Sequence, residues 1–197
     1  MDWLLYSQVG RGWTDADRCR NQIRSRPFWS VSCISLSGGQ QRGGSVSRLT
    51  ALLENEIRLA VYRHFCALGR APTIVEVAGV LGVSVESVRE AFVSLATQHV
   101  LVLHPSTDEV WMAMPFSAVE TAFKVVTDKG EWWANCAWDA LGIPAMLGQD
   151  AEIYSTCPAS GIPLRVTVTG KALGVDTESV VHFLLPAARW WDDIGYT

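Results

Sequence analysis

Thr73-Ile74-Val75-Glu76-Val77-Ala78-Gly79-Val80-Leu81-Gly82-Val83-Ser84 carries two helix starts and a helix stop in one short run. Thr73 and Glu76 have the spacing of a capping box, in which two side chains satisfy backbone N–H groups reciprocally. Val77, Ala78 and Leu81 then share the face of a short helix that Gly82 ends. Ser84 caps a third helix bearing Val88, Phe92 and Leu95. Upstream, Leu49, Leu52, Leu53, Ile57, Ala60, Val61, Phe65 and Leu68 recur at helical spacing, and Gly69 stops that helix. Downstream of His99, residues 100–103 and 109–114 read as strands joined by a Pro105–Asp108 turn. Three helices followed by a two-stranded wing form a winged helix-turn-helix arrangement.

Such a module invites a DNA-binding reading, and its charges oppose it. The helix from Ser84 to Gln98 carries Glu86, Arg89 and Glu90 and is net acidic. A groove reader needs Lys or Arg for phosphates and Arg, Asn or Gln for base edges. We therefore expect a packing or dimer role for this module and no nucleic-acid partner.

Beyond Pro115, residues 122–126 read as a strand and 131–141 as a helix ending at Gly142 and Pro144. Further strands are expected at 152–156, 164–169 and 179–185, with short connections that favour antiparallel pairing. The predicted class is α+β: an N-terminal winged helix-turn-helix module, then a small, mainly antiparallel sheet domain with a catalytic helix. The expected division is 1–46 a poorly ordered extension, 47–115 winged-helix-like, and 116–197 the chemical core. The extension mixes Arg with Gly, Ser and Gln and keeps no regular period.

A chain of 197 residues, about half apolar, can bury a core, and its net charge of -4 does not favour nucleic acid or an anionic membrane. It has no apolar run of the ~20 residues that would span a bilayer, and no signal-peptide pattern, so a cytoplasmic protein without a membrane partner is expected. The five cysteines, Cys19, Cys33, Cys66, Cys136 and Cys157, are widely spaced and include no C-x-x-C pair. That argues against a disulfide framework or a zinc knuckle. His64, His99, His104 and His182 likewise lack ligand spacing.

The chemistry concentrates in Glu131-Trp132-Trp133-Ala134-Asn135-Cys136-Ala137-Trp138-Asp139-Ala140-Leu141-Gly142-Ile143-Pro144. Cys136 and Asp139 stand at i and i+3, on one face of a helix. On this reading Cys136 lies in the second helical turn, where the dipole aids a thiolate only modestly. A carboxylate among tryptophans resists ionisation and can carry a proton near neutral pH. On composition alone, the plain alternative is a packed Cys136 beside a solvated Asp139.

The run Trp132–Pro144 resembles the active-site segment of the alkylmercury (organomercurial) lyase family. Ser155-Thr156-Cys157-Pro158-Ala159-Ser160-Gly161 is similar to that family's next cysteine-bearing strand and turn. The winged helix, Met114–Ser117 and Val181–Pro186 also resemble family segments in order, so the resemblance covers about residues 48–197. It implies protonolysis of a carbon–mercury bond to a hydrocarbon and Hg(II). Cys136 would be the catalytic, mercury-binding thiolate, and Asp139 would shuttle the proton and contact the metal. Cys157 matches a supporting cysteine and is a candidate third mercury ligand. Soft mercury prefers thiolate to imidazole or carboxylate, which suits this assignment. No cofactor is implied beyond external thiols, and a mercuric reductase or thiol acceptor would take the Hg(II).

The family's second catalytic cysteine follows a segment like Arg189–Thr197, where the given sequence stops. We therefore expect a C-terminally truncated member with impaired activity, a divergent protein with one working thiol, or recruitment of Cys157. A winged-helix transcriptional regulator and a noncatalytic mercurial-binding protein are the alternatives from other functional classes.

Overall fold

Ile57, Ala60, Val61 and Phe65 recur at three- and four-residue steps. In the computed structural model, which describes residues 44–170, 172–175 and 180–195, they form the buried stripe of α1 (Gly44–Leu68). Both ends of that helix depart from the core: Leu49 and Leu52 near its start and Leu68 at its last position, all expected on the apolar face, are exposed. Of the extension expected at 1–46, residues 1–43 lie outside the described residues, and helix begins at Gly44.

The capping box forms as its residue types require. Thr73 accepts from the Glu76 amide, and Glu76 accepts from the Thr73 amide, opening α2 (Ile74–Leu81). Gly82 closes it in the left-handed region at φ 67°. Ser84 caps α3 (Val85–Thr97), which buries Val88, Ala91, Phe92 and Leu95. Its Arg89 is paired with Glu86 at 3.8 Å and with Asp108 at 3.4 Å.

Eight strands follow in one sheet: β1 (Val102–Leu103), β2 (Val110–Ala113), β3 (Phe116–Ser117), β4 (Phe123–Thr127), β5 (Gly130–Ala134), β6 (Ala151–Thr156), β7 (Pro163–Thr169) and β8 (Ala172–Val175). Their order is β1-β2-β3-β5-β4-β6-β7-β8, and every neighbouring pair is antiparallel, as the short connections imply. The protein is thus α+β with an antiparallel sheet. The register puts Phe116 opposite Ala134 and Val125 opposite Trp132, so these residues share one face. That face is covered by α1 and by α4 (Ala137–Leu147), which packs on β4, β5 and β6 through Ala140, Ile143 and Leu147.

Three expectations change. Residues 131–141 are not one helix: Trp132 and Trp133 lie in β5, alternating between faces, and helix starts only at Ala137. Aromatic residues suit a strand, and Trp132 gains a buried place and a 2.7 Å hydrogen bond from Nε1 to the Phe65 carbonyl. Gly142 and Pro144 do not end the helix, which continues to a left-handed Gly148 at φ 65°. Pro144 lacks a donor for the helical ladder, and its burial together with Ile143 offsets that loss. Likewise the strand expected at 179–185 does not form over its described residues 180–185, and the last strand among the described residues is β8, which is exposed along its length. A 3-10 turn at Ala187–Asp192 follows, with Trp191 stacked on His99 at a ring-centroid distance of 4.0 Å.

Gly69 is where α1 meets the sheet. Its φ is 70°, and a Cβ there would stand 2.5 Å from the Glu131 carbonyl oxygen of β5. Gly82 has nearly the same φ with open space around it. By urea unfolding, Gly82→Ala should cost about 1 kcal/mol for its backbone conformation alone, and Gly69→Ala about 2–4 kcal/mol with the clash added. Equal losses at the two positions would contradict the close approach of α1 and β5.

Candidate active site

β5 ends at Ala134, whose carbonyl accepts a 2.6 Å hydrogen bond from Thr121 Oγ1. Two residues later Cys136 is the N-cap of α4, with extended backbone, and Asp139 lies in the first helical turn. These are the first and last positions of a capping box, here with a thiol in place of a hydroxyl. The i, i+3 relationship survives, although Cys136 opens the helix instead of lying in its second turn. No side-chain cap hydrogen bond forms; the Cys136 thiol instead donates to Asp139 Oδ2 at 3.7 Å.

Both groups are half-buried, and burial dominates their electrostatics. It pushes the Cys136 thiol up to about 11, and the neighbouring Asp139 charge adds to the rise. The backbone N–H groups of Asp139 and Trp138 pull it back without closing a cap bond. Burial lifts Asp139 to about 6, opposed by hydrogen bonds from Asn135 and Cys136. At neutral pH the proton therefore rests on sulfur, beside an ionised carboxylate.

Three neighbours complete the surroundings. Asn135 Nδ2 lies 3.2 Å from Asp139 Oδ2 and 3.2 Å from the Phe116 carbonyl oxygen. Tyr62, from α1, donates to the Met114 carbonyl at 3.0 Å. Burial drives its phenol to about 12, with Arg58 lowering it and Asp139 raising it, so the ring stays neutral near the pair. Phe116 is fully buried and stacks on Phe65 at 5.1 Å, which shields the inner side of the site.

Cys157 stands apart in this arrangement. It follows β6 in a turn closed by Gly161 N–H to the Cys157 carbonyl at 2.8 Å. Its thiol is lowered by a hydrogen bond to Ser160, helped by the Ser160 and Ala159 amides. Among the described residues, no group of three His, Cys, Asp or Glu could hold a metal ion. Cys19 and Cys33 lie outside the described residues. The sequence pointed to Cys136 and Asp139 but assigned no role to Asn135 or Tyr62; an Asn immediately before a helix cap was the available signal for the former.

The sequence pattern of the alkylmercury lyase family matches residues 116–197, the stretch that contains this pair. This part of the chain is similar to the alkylmercury lyase family. Among solved structures, the crystal structure of the mercury-bound form of MerB2 is similar, with a TM-score of 0.51 and 21% identity over 68% of each chain. That likeness shows a shared fold. No curated protein matches the chain. Within the matched segment, β5 and α4 together present the thiol and the carboxylate. No described helix is long and apolar enough to cross a membrane.

The raised Asp139 makes a stability prediction. Its folded-state value, about 6, exceeds the usual carboxylate value near ~4. The folded form therefore binds more protons in that window. The group's stability contribution is intact below about pH 4 and is lost as pH rises through about 6. Asp139→Asn should unfold at a higher urea concentration than the wild type at pH 8, by about 2 kcal/mol, with the gain fading below about pH 5. A variant less stable than wild type at pH 8 would contradict a buried, destabilised carboxylate.

Proposed function

We propose that this protein is an organomercurial lyase, cleaving the carbon–mercury bond by protonolysis to a hydrocarbon and Hg(II). The observation that carries the reading is the half-buried Cys136 thiol donating to an Asp139 carboxylate that titrates near neutrality. The family of residues 116–197 supports it, as does the mercury-bound form of the similar structure.

Mercury is soft and displaces the proton from a thiol readily. As Cys136 Sγ bonds to R–Hg⁺, its proton passes to Asp139 Oδ2, leaving Cys136–S–Hg–R beside a neutral carboxylic acid. Asp139 then gives that proton to carbon. The carbon–mercury electron pair becomes the new C–H bond, R–H leaves, and Hg(II) remains on the Cys136 sulfur next to the regenerated carboxylate. Asp139 acts as general base and then as general acid, a role suited to a group titrating near the working pH. Product Hg(II) leaves to an external thiol or another mercury-accepting protein.

A second reading draws on the isolation of the pair. Cys157 is engaged with Ser160, and the described residues bring no third ligand to Cys136 and Asp139. A single thiolate favours mercurial binding without turnover.

The two readings separate on benzene release from a phenylmercury salt with external thiol in excess, measured by headspace chromatography. The lyase reading predicts several equivalents of benzene per chain, and the binding reading one retained mercurial with no benzene. For a lyase, Cys136→Ser should lose one equivalent of mercurial uptake and abolish release. Asp139→Asn should keep uptake and slow release about 10²–10⁴-fold. Undiminished mercurial uptake by Cys136→Ser would sink both readings.

A further inference from the structure

We propose that Asn135 is the positioning residue of this site: its side-chain amide, oriented by the Phe116 carbonyl, holds the Asp139 carboxylate with Oδ2 toward the Cys136 sulfur. The inference rests on the reading of Cys136 and Asp139 as the reacting pair.

The orientation of the Asn135 amide is decided by its neighbours. The Phe116 oxygen, 3.2 Å away, is a backbone carbonyl and can only accept. The reversed amide would set oxygen against that carbonyl and against Oδ2 of an ionised Asp139. Nδ2 therefore faces both, spending one proton on each. Asn135 Oδ1 is consequently buried with no hydrogen-bond partner. An orphaned buried acceptor is an unfavourable feature. Its retention here accompanies an amide held nitrogen-first against the carboxylate.

The consequence lies at Asp139 Oδ2, which receives two donors: Asn135 Nδ2 at 3.2 Å and the Cys136 thiol at 3.7 Å. Asn135 occupies one acceptor position of that oxygen. The remaining position faces sulfur, where a thiol proton would arrive and from where it would meet a mercury-bound carbon. Without the amide, the carboxyl group is free to turn about its χ2 bond and present either oxygen.

The clamp is anchored in the sheet rather than in a loop. Ala134, immediately before Asn135, pairs directly with Phe116 across β3 and β5. Thr121 Oγ1 pins the Ala134 carbonyl from the other side. The distance between the Phe116 oxygen and the Asn135 amide is therefore set by strand register, and the Asp139 rotamer inherits that rigidity.

The test pairs turnover with a measurement that needs none. In Asn135→Ala and the near-isosteric Asn135→Leu, kcat for phenylmercury protonolysis should fall about 10–100-fold, as for other misplaced reacting groups. KM should change less than about threefold, and each variant should still take up one equivalent of mercurial at Cys136. A merely structural role would instead lower uptake and melting temperature in step with kcat. Separately, the two Asn135 side-chain amide protons are observed by ¹⁵N-resolved NMR in the wild type and in Asp139→Ala. One resonance should move on loss of the carboxylate, and the other, held by the Phe116 carbonyl, should stay. A wild type that releases no benzene removes the lyase reading, and the amide spectrum then decides the clamp alone. Asn135 resonances unchanged in Asp139→Ala, or kcat of Asn135→Ala within twofold of wild type, would overturn the proposal.

Discussion

The Trp132 indole ties α1 to the sheet. It is buried against Phe116, and its Nε1 donates to the Phe65 carbonyl, which also accepts the Gly69 amide at the end of α1. A buried indole needs a partner for its N–H, and that carbonyl lies at one place on the helix. Satisfying it fixes where β5 runs beneath α1. The end of β5 then determines where Asn135 leaves the sheet and where Cys136 begins α4. The position of the thiol is thus a consequence of an aromatic anchor several residues upstream.

Burial at this junction also creates the chemistry. In water a thiol beside a carboxylate is unremarkable, with both groups near their ordinary values. Here the same desolvation raises both, to about 11 and about 6, so between those values a protonated thiol stands beside an ionised carboxylate. The α4 amides point toward the sulfur and counter part of that rise, which explains why a helix start suits this thiol better than a mid-helix position. An ionised buried carboxylate reduces stability, so Asp139 is kept at some cost to the fold.

Much of this organisation is legible in the sequence itself. The Thr73–Glu76 box, Ser84 and the periodic apolar positions specify α1 to α3, because caps and 3.6-residue patterning act locally. Cys136 and Asp139 were legible as a pair because their spacing brings them together near a helix start as well as within a helix. The boundary between β5 and α4 was not, since Trp132 and Trp133 fit either structure until the partner of the indole is known. β8 is composed of Ala172-Leu173-Gly174-Val175, with no alternation to announce a strand, and it is defined by pairing with β7. Val180, Val181 and Leu184 look like strand residues and stay exposed without a described partner strand. Asn135 gained its significance from a backbone carbonyl supplied by cross-strand register, which no side-chain pattern encodes.

The proposed protonolysis requires that the Cys136 proton pass to Asp139 when mercury arrives. It is tested most directly by infrared difference spectroscopy at pH 8, on protein carrying ¹³C-labelled aspartate carboxyls. One equivalent of an organomercurial is added without external thiol. The account predicts loss of a buried S–H stretch together with the appearance of a protonated aspartic acid band, both absent in Cys136→Ser and the second absent in Asp139→Asn. Loss of the S–H stretch with no change at any carboxyl would contradict it, because the thiol proton would then have gone to solvent rather than to Asp139.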